Sequence, residues 1–352
     1  MNRIDFSARK FLPLTGLALV FLCALLVPFF AAPFHVFQLT MLFSYTVALI
    51  GLNLLTGHSG QISLGHAAFY AAGAYTGALV GRAFEGGFGY LLALPAAAAV
   101  CFAFGYLFGI PALRLRGLAL ALATLALTIA VPPLLKRFES ITGGSVGLSV
   151  PTPQPPAALG LAEDQWIYLL SLMVLIAGLV FSKNLLSGRV GRAFSAIRDN
   201  ETAAQSMGVQ LSRYKTVAFA LSSMYGGIGG VLYTWTTGYV SPSTFGLLLS
   251  VYFLAGIILG GLGNTLGPFI GAAFIYFVPS ALGRINDAAP GVLFGAVLIL
   301  VILVAPGGVA GLIEKAWSAV VGHKAKVAAT LTTSAELHDS EQDEAVLEEK
   351  RV

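Results

Sequence analysis

Ten apolar segments, separated by short polar stretches, constrain the fold of this chain more than any other feature. About 20 helical residues cross the hydrocarbon core of a bilayer, and most of these segments approach that length. Because an unpaired backbone group in lipid costs on the order of several kcal/mol, we expect each segment to be helical. The pattern predicts an all-α integral membrane protein with about ten transmembrane helices. The predicted spans are residues 11–30, 36–55, 62–81, 90–110, 117–135, 166–182, 215–236, 246–262, 265–283 and 290–305.

Composition supports a membrane environment. Only 10% of the 352 residues are charged and 57% are hydrophobic, whereas a soluble domain carries about 25% charged residues. Such a chain has too few polar groups to cover a globular surface in water. The two cysteines, Cys23 and Cys101, lie in apolar segments and offer no disulfide or metal framework. We expect no nucleic acid partner, because the excess of basic residues follows the predicted membrane topology.

The distribution of lysine and arginine predicts the orientation of the chain. With the N-terminus inside, fourteen basic residues before residue 336 fall on inner segments and four on outer ones. Cytoplasmic segments are enriched in these residues, so both termini are predicted to be cytoplasmic. The first segment is interpreted as an uncleaved helix, with cleavage near residues 31–32 as the alternative. The predicted regions are a cytoplasmic N-terminus at 1–10, a transmembrane domain at 11–313, an outer loop at 138–165, a cytoplasmic loop at 183–214 and a charged cytoplasmic tail at 314–352.

Several motifs are absent. The dipeptide Gly-Lys does not occur, so the chain lacks a Walker A phosphate loop and is not expected to hydrolyse ATP or to be an enzyme. No spacing typical of metal ligands is present, and we expect no metal or cofactor. No Asp or Glu falls inside a predicted span, which argues against proton coupling. If this chain moves a solute uphill, the energy is expected to come from a partner.

The cytoplasmic loop carries a signal for two short helices. Asp199 or Asn200 is a good N-cap and Gly208 a good left-handed terminator, so a helix of seven or eight residues is predicted between them. We expect Ala203, Ala204 and Met207 to share one face of it. The preceding GRAFSAI predicts another short helix. The alternative is a basic loop that binds anionic lipid headgroups.

Two glycine-rich segments interrupt the apolar pattern. The first, GLNLLTGHSGQISLGHAAF, begins at Gly51, and the second, GGLGNTLGPFIGA, begins at Gly260. Paired interruptions in the two halves of a transporter often mark its substrate pathway, and exposed amides and hydroxyls there suit a small zwitterion. The alternative is a cytoplasmic turn with small-residue packing by Gly73 and Gly77. The candidate pathway residues are Asn53, Gly57, His58, Ser59, Gly60, Gln61, Ser63, Gly65, Gly261, Gly263 and Asn264.

At the cytoplasmic loop the sequence resembles a known family. ETAAQSMG is similar to the E-A-A-x-x-x-G signature of ABC importer permeases, with Thr202 where Glu is usual. The longer strings GLNLLTGHSGQISLGHAAF, TGGSVGL, GRAFSAIRDNETAAQSMGV and LGGLGNTLGPFIGA resemble LivM-type permeases of branched-chain amino acid importers, over roughly residues 36–310. The resemblance implies that residues 189–208 couple the chain to an ATPase. The residues assigned to this coupling are Arg198, Asp199, Glu201, Thr202, Ala203, Ala204, Met207 and Gly208.

The resemblance also implies partners and a location. It implies a heterodimer with a LivH-type permease, two cytoplasmic ATPase subunits that bind the ATP, a periplasmic solute-binding protein, and the bacterial cytoplasmic (inner) membrane. The outer loop is then periplasmic and the loop at 183–214 is the coupling loop. Two alternatives remain open: a related urea or short-chain amide permease, and a stand-alone secondary transporter or channel.

Overall fold

A computed structural model of the chain describes residues 14–84, 89–112, 115, 117–283, 295–296, 299–300, 303 and 308–312. These residues are predominantly helical, and the all-α prediction is confirmed. The helices are α1 Leu14–Phe30, α2 Pro33–Leu52, α3 His66–Ala83, α4 Ala93–Ala112, α5 Leu118–Arg137, α6 Glu139–Thr142, α7 Glu163–Ser187, α8 Arg189–Asp199, α9 Glu201–Ser206, α10 Leu211–Thr237, α11 Leu247–Gly260 and α12 Gly267–Gly283. The shorter elements are one π-helical turn, Asn53–His58, and three 3₁₀ turns, Gly89–Leu92, Ala157–Leu159 and Pro242–Phe245. There are also two short strands, β1 Leu148–Ser149 and β2 Tyr239–Val240.

Several helices are suited to a membrane. Within the described residues five helical segments are long and apolar enough to cross a bilayer: Pro33–His58, Gly89–Pro111, Ala119–Arg137, Glu163–Ser187 and Leu211–Thr237. The protein is therefore a multi-pass membrane protein. The count of ten spans and the side on which the termini lie remain predictions. The predicted N-terminus and tail lie outside the described residues, as does most of the predicted span 290–305.

Three of the differences between the predicted spans and the observed helices lie beside the glycine-rich segments. α3 begins at His66, four residues after the predicted start, because the glycine-rich segment before it is not helical. α11 and α12 have 14 and 17 residues, or about 21 and 26 Å at 1.5 Å per residue. α11 stops at Gly261, whose φ of +113° is incompatible with continuing the helix.

α10 lies at the centre of the bundle and packs against α2, α3 and α4. Most of α2 and α10 is enclosed by other helices, with 89% and 78% of their apolar stretches buried, whereas the shares in α4, α5 and α7 are 22 to 28%. The approach of α3 to α10 requires glycine. A Cβ on Gly73 would lie 2.0 Å from the carbonyl oxygen of Gly227. The predicted small-residue packing of Gly73 and Gly77 is thus confirmed, since Gly77 also faces α10 at Val231.

The predicted outer loop is attached to the end of α10 by a short β-ladder. β1 pairs antiparallel with β2, with Leu148 opposite Val240 and Ser149 opposite Tyr239. The Tyr239 hydroxyl also donates to the carbonyl oxygen of Val146. Sequence reasoning did not predict this ladder, because a two-residue strand has no periodicity to detect. The glycines at 143, 144 and 147, which surround the turn before it, all have positive φ.

Candidate functional site

The first glycine-rich segment breaks the helical path between α2 and α3. α2 continues into the π-helical turn Asn53–His58, and the chain is not helical again until α3 begins. A π turn departs from the regular helical hydrogen-bond pattern and is frequent at functional sites. Two amides after this turn still reach back, from Ser59 to the Leu54 carbonyl oxygen at 3.2 Å and from Gln61 to the Leu55 carbonyl oxygen at 3.1 Å. Because residues 53–57 are buried, the chain turns inside the bundle.

Hydroxyl side chains of other helices satisfy the backbone of this break. Thr124 of α5 accepts a hydrogen bond from the Leu64 amide at 2.9 Å, and Thr128, one turn later, donates to the Leu64 carbonyl oxygen at 2.8 Å. Ser250 of α11 accepts from the Ala67 amide, in the first turn of α3, at 3.1 Å. α5 and α11 thus supply partners that irregular backbone needs inside a membrane.

Asn53 joins this break to the second glycine-rich segment. Its Nδ2 donates to the carbonyl oxygen of Asn264 at 2.9 Å, and its Oδ1 accepts from the Gly263 amide at 2.8 Å. Gly57 lies against the same backbone, where a Cβ would be 2.4 Å from the Gly263 nitrogen. Gly263 has a φ of +75°, which favours glycine. The two segments therefore meet, and we call residues 53–65 and 261–266 together the paired breaks.

Most polar side chains of the paired breaks are buried and bonded within the protein. Nε2 of Gln61 donates to the Ser59 hydroxyl at 2.7 Å, and the Ser63 hydroxyl accepts from the Gly65 amide at 3.2 Å. The expectation of exposed amides and hydroxyls is wrong for Asn53, Ser59, Gln61 and Ser63, which are 2 to 8% exposed. The physical reason is that a buried backbone without helical hydrogen bonds needs partners, and the nearest side chains supply them.

The histidines near the break have different environments. His66 is 2% exposed, its Nε2 lies 2.7 Å from the Ala48 carbonyl oxygen, and its ring meets Phe253 edge-on. It is a packed core side chain. His58 is half-buried, and Gly60 beside it is exposed. Among the described residues no group of three His, Cys, Asp or Glu side chains is arranged to hold a metal ion.

α8 is an amphipathic helix that anchors the coupling loop to the bundle. Phe194 and Ile197 are 0 and 2% exposed. Phe194 packs in a cluster that includes Leu55 of the first break and Phe219 of α10. The prediction of a helix here is confirmed.

α9 is capped at both ends, as the sequence predicted. The Asn200 side chain accepts from the Ala203 amide at 3.0 Å, so Asn200 is the N-cap. At the other end Gly208 has a φ of +83°, and the Val209 amide returns to the Ala204 carbonyl oxygen at 3.0 Å. The helix spans six residues, slightly fewer than predicted.

The predicted apolar face of α9 needs correction. Ala204 is only 4% exposed, whereas Met207 is 85% exposed and Ala203 is also exposed. Ala204 lies three residues after Glu201, so the two share one side of α9. That side faces the bundle, and Ala204 is therefore buried. The outward side consists of Thr202, Ala203, Gln205, Ser206 and Met207, followed by Gly208.

Three polar contacts join the coupling loop, the first break and α10. Nη1 of Arg198 donates to the carbonyl oxygen of Gly57 at 3.0 Å. Glu201 pairs with Lys215 of α10 at 2.5 Å. Nε2 of Gln61 lies 3.3 Å from the carbonyl oxygen of the same lysine. The residues assigned to coupling and those assigned to the pathway therefore form one connected site.

An open cleft of about 560 Å³ lies between α9 and the first turn of α10. Its lining combines one carboxylate, one ammonium group and several uncharged polar side chains. The lining residues are Glu201, Gln205, Gly208, Val209, Gln210, Leu211, Ser212 and Lys215.

Sequence reasoning missed four members of this site: Thr124, Thr128, Ser250 and Lys215. The two threonines carried a detectable signal, because they recur at i and i+4 on an otherwise apolar helix. The other two carried none, since their roles depend on contacts between residues far apart in sequence.

Comparison with known proteins identifies the family of the chain. The family described as "Branched-chain amino acid transport system / permease component" matches residues 35–305. The chain belongs to this family. Its members are transport subunits rather than enzymes, and a permease component works together with other subunits of its transporter.

Individual relatives show the same likeness. The chain is 33% identical to the high-affinity branched-chain amino acid transport system permease protein LivM of Salmonella typhimurium and to that of Escherichia coli, over 82% of this chain and 74% of each relative. It is 30% identical to the autoinducer 2 import system permease protein LsrC of Klebsiella pneumoniae, over 41% of this chain and 44% of that protein. No solved structure gave a significant match.

Proposed function

We propose that this chain is a permease subunit of an ATP-driven importer in the cytoplasmic (inner) membrane, and that it forms part of the path for branched-chain or related small amino acids. Family membership and the names of the LivM relatives support the substrate class. The match to LivM covers 82% of the chain, whereas the match to the Klebsiella LsrC covers 41%. The paired breaks are the proposed wall of the path.

The observation that carries this proposal is the preformed, exposed helix α9. A six-residue helix is not stable alone in water, but here its cap, the glycine at its end and the Glu201–Lys215 pair hold it in place. Its outward side is uncharged and ends in the exposed thioether of Met207. A flexible Met side chain on a fixed helix suits a groove on another protein.

We assign the partners from the same surfaces. Two cytoplasmic ATPase subunits, which bind the ATP, are the proposed partners of α9 and its cleft. A LivH-type permease completes the transmembrane heterodimer, and a periplasmic solute-binding protein delivers the substrate on the side of the outer loop. This chain itself is proposed to bind no nucleotide, metal or nucleic acid.

Charge placed on the outward side of α9 tests the proposal. In Ala203→Glu and Met207→Glu, ATPase co-purification is expected to fall at least about tenfold, because each buries a carboxylate in the docking groove. Energised leucine uptake should fall with it. These sites are preferable to Ala204, whose substitution would disturb the fold.

Ala158→Glu is the matched control for docking. Ala158 is exposed in a 3₁₀ turn of the outer loop, so the same added charge should leave ATPase co-purification unchanged. Normal energised uptake by Ala203→Glu and Met207→Glu would rule out docking through α9. Leucine uptake into vesicles without any ATPase would instead establish a stand-alone transporter or channel.

A further inference from the structure

Arg198 occupies a position that docking on an ATPase does not explain. It is the penultimate residue of α8, two residues before the N-cap of α9, and its side chain, although 42% exposed, reaches the first break. Nη1 donates to the Gly57 carbonyl oxygen at 3.0 Å, across 141 residues of sequence. Its stem covers Gly60, where an added Cβ would lie 3.1 Å from Cγ of the arginine. The side chain thus fills the surface of the first break.

The acceptor of this bond lies where the two breaks touch. Gly57 is in the π-helical turn and packs against the Gly263 backbone, and Asn53 ties that backbone to the same turn. Nη1 of Arg198 itself lies within 3.5 Å of the position that a Cβ on Gly263 would take. One guanidinium group therefore contacts the junction of both breaks.

The contact between the Arg198 guanidinium and the Gly57 carbonyl oxygen is also electrostatically favourable. Gly57 lies near the C-terminal end of the helical segment that α2 begins, where carbonyl groups carry the negative end of the helix dipole. A cation placed there forms a charge-assisted hydrogen bond, which is stronger than a neutral one. The only acidic neighbour that the described residues give Arg198 is Asp199, at 3.2 Å and largely exposed.

α9 is held on each side of its cap by a different element. Arg198, before Asn200, binds the first break, and Glu201, after it, binds Lys215 of α10. A displacement of α9 therefore acts on the breaks and on α10 through separate contacts.

We infer that Arg198 is a positioning residue that transmits movement of α9 to the paired breaks through its hydrogen bond to Gly57. Its role is then within this chain rather than on the surface that meets the ATPase. This inference rests on the proposed function, because it assumes that an ATPase moves α9.

The test compares uptake with ATP hydrolysis in the assembled transporter, reconstituted in lipid vesicles. Arg198→Met keeps the apolar stem over Gly60 but removes the donor. The variant complex is expected to assemble and hydrolyse ATP, while leucine uptake per ATP falls about tenfold, as expected for loss of a charge-assisted hydrogen bond. Arg198→Lys retains a cationic donor and should return uptake per ATP to within about threefold of the unaltered complex.

Arg192→Met is the matched control, because Arg192 is an exposed arginine of α8 whose guanidinium reaches, within the described part of the chain, only the Ser187 carbonyl oxygen, at 3.3 Å. Its uptake per ATP should be normal. Unchanged uptake per ATP in Arg198→Met overturns the inference, and so does loss of the ATPase from that complex, which would place Arg198 in docking or folding. A failure of the proposed function is separate: the unaltered complex would then show no ATP-dependent leucine uptake.

Discussion

Oδ1 of Asn53 lies 2.8 Å from the backbone nitrogen of Gly263, 210 residues later in the chain. Nδ2 of the same side chain donates to the Asn264 carbonyl oxygen. A single side chain therefore binds both a donor and an acceptor of irregular backbone. The Asn53 side of both contacts is shielded from water, since Asn53 is 5% exposed. The geometry of the paired breaks therefore depends on one amide group more than on any other side chain of the segment.

Asn53→Leu is expected to destabilise the protein. It preserves side-chain size but leaves the half-buried Gly263 amide and Asn264 carbonyl without their partner, at a total cost of about 1–3 kcal/mol. Thermal unfolding of the purified protein in detergent would measure the loss. Asn264→Ala is the control, because the one bond that the described residues give the Asn264 side chain comes from the exposed backbone at Leu266. Equal stability of Asn53→Leu and the unaltered protein would contradict the role of Asn53.

Gly73→Ala is expected to separate α3 from α10. The added methyl group would meet the Gly227 carbonyl oxygen at 2.0 Å, and backbone at that position cannot move aside without shifting a helix. We expect a loss of about 2 kcal/mol or more, measured as a lower midpoint of thermal unfolding. Gly81→Ala, in the same helix, places its methyl group 3.5 Å from Val150 and should be neutral or slightly stabilising. Similar behaviour of the two variants would argue against the close contact.

Gln61→Leu is expected to alter transport without altering ATPase docking. The side chain is buried and bridges the Ser59 hydroxyl and the Lys215 carbonyl oxygen, so its loss disturbs the first break but not the outward side of α9. Uptake in vesicles and ATPase co-purification would be measured on the same preparation. Ile62→Leu, at an exposed neighbouring position, is the control. If Gln61→Leu changes neither quantity, the assignment of the path to this segment is wrong.

Local signals in the sequence were sufficient to locate the ends of the short helix α9 in the coupling loop. Asn200 and Gly208 fixed the ends of α9 because capping depends on residue type and immediate backbone geometry. The burial of Ala204 was not predictable in this way, since a short helix has no apolar period long enough to show which side faces the bundle. Its orientation comes from Lys215, in another helix.

The paired breaks illustrate the same division. Glycine and polar residues between apolar segments predicted both interruptions, and their occurrence in the two halves of the chain suggested that they belong to one pathway. The sequence contained no indication that Asn53 makes the connection, or that Thr124, Thr128 and Ser250 enclose the backbone. These are long-range contacts, and they also explain why α3 begins later than hydropathy alone predicts.

The continuity of α10 has a mechanical consequence for the whole molecule. Its 27 residues form a rod about 40 Å long, held at one end by the Glu201–Lys215 pair and followed at the other by the strand that pairs with β1. A small tilt at the Lys215 end would displace the Tyr239 end by a distance that grows with the length of the rod. Through α10 and the β-ladder, such a tilt would also move the outer loop, even though no residue of that loop lies near α9 in sequence.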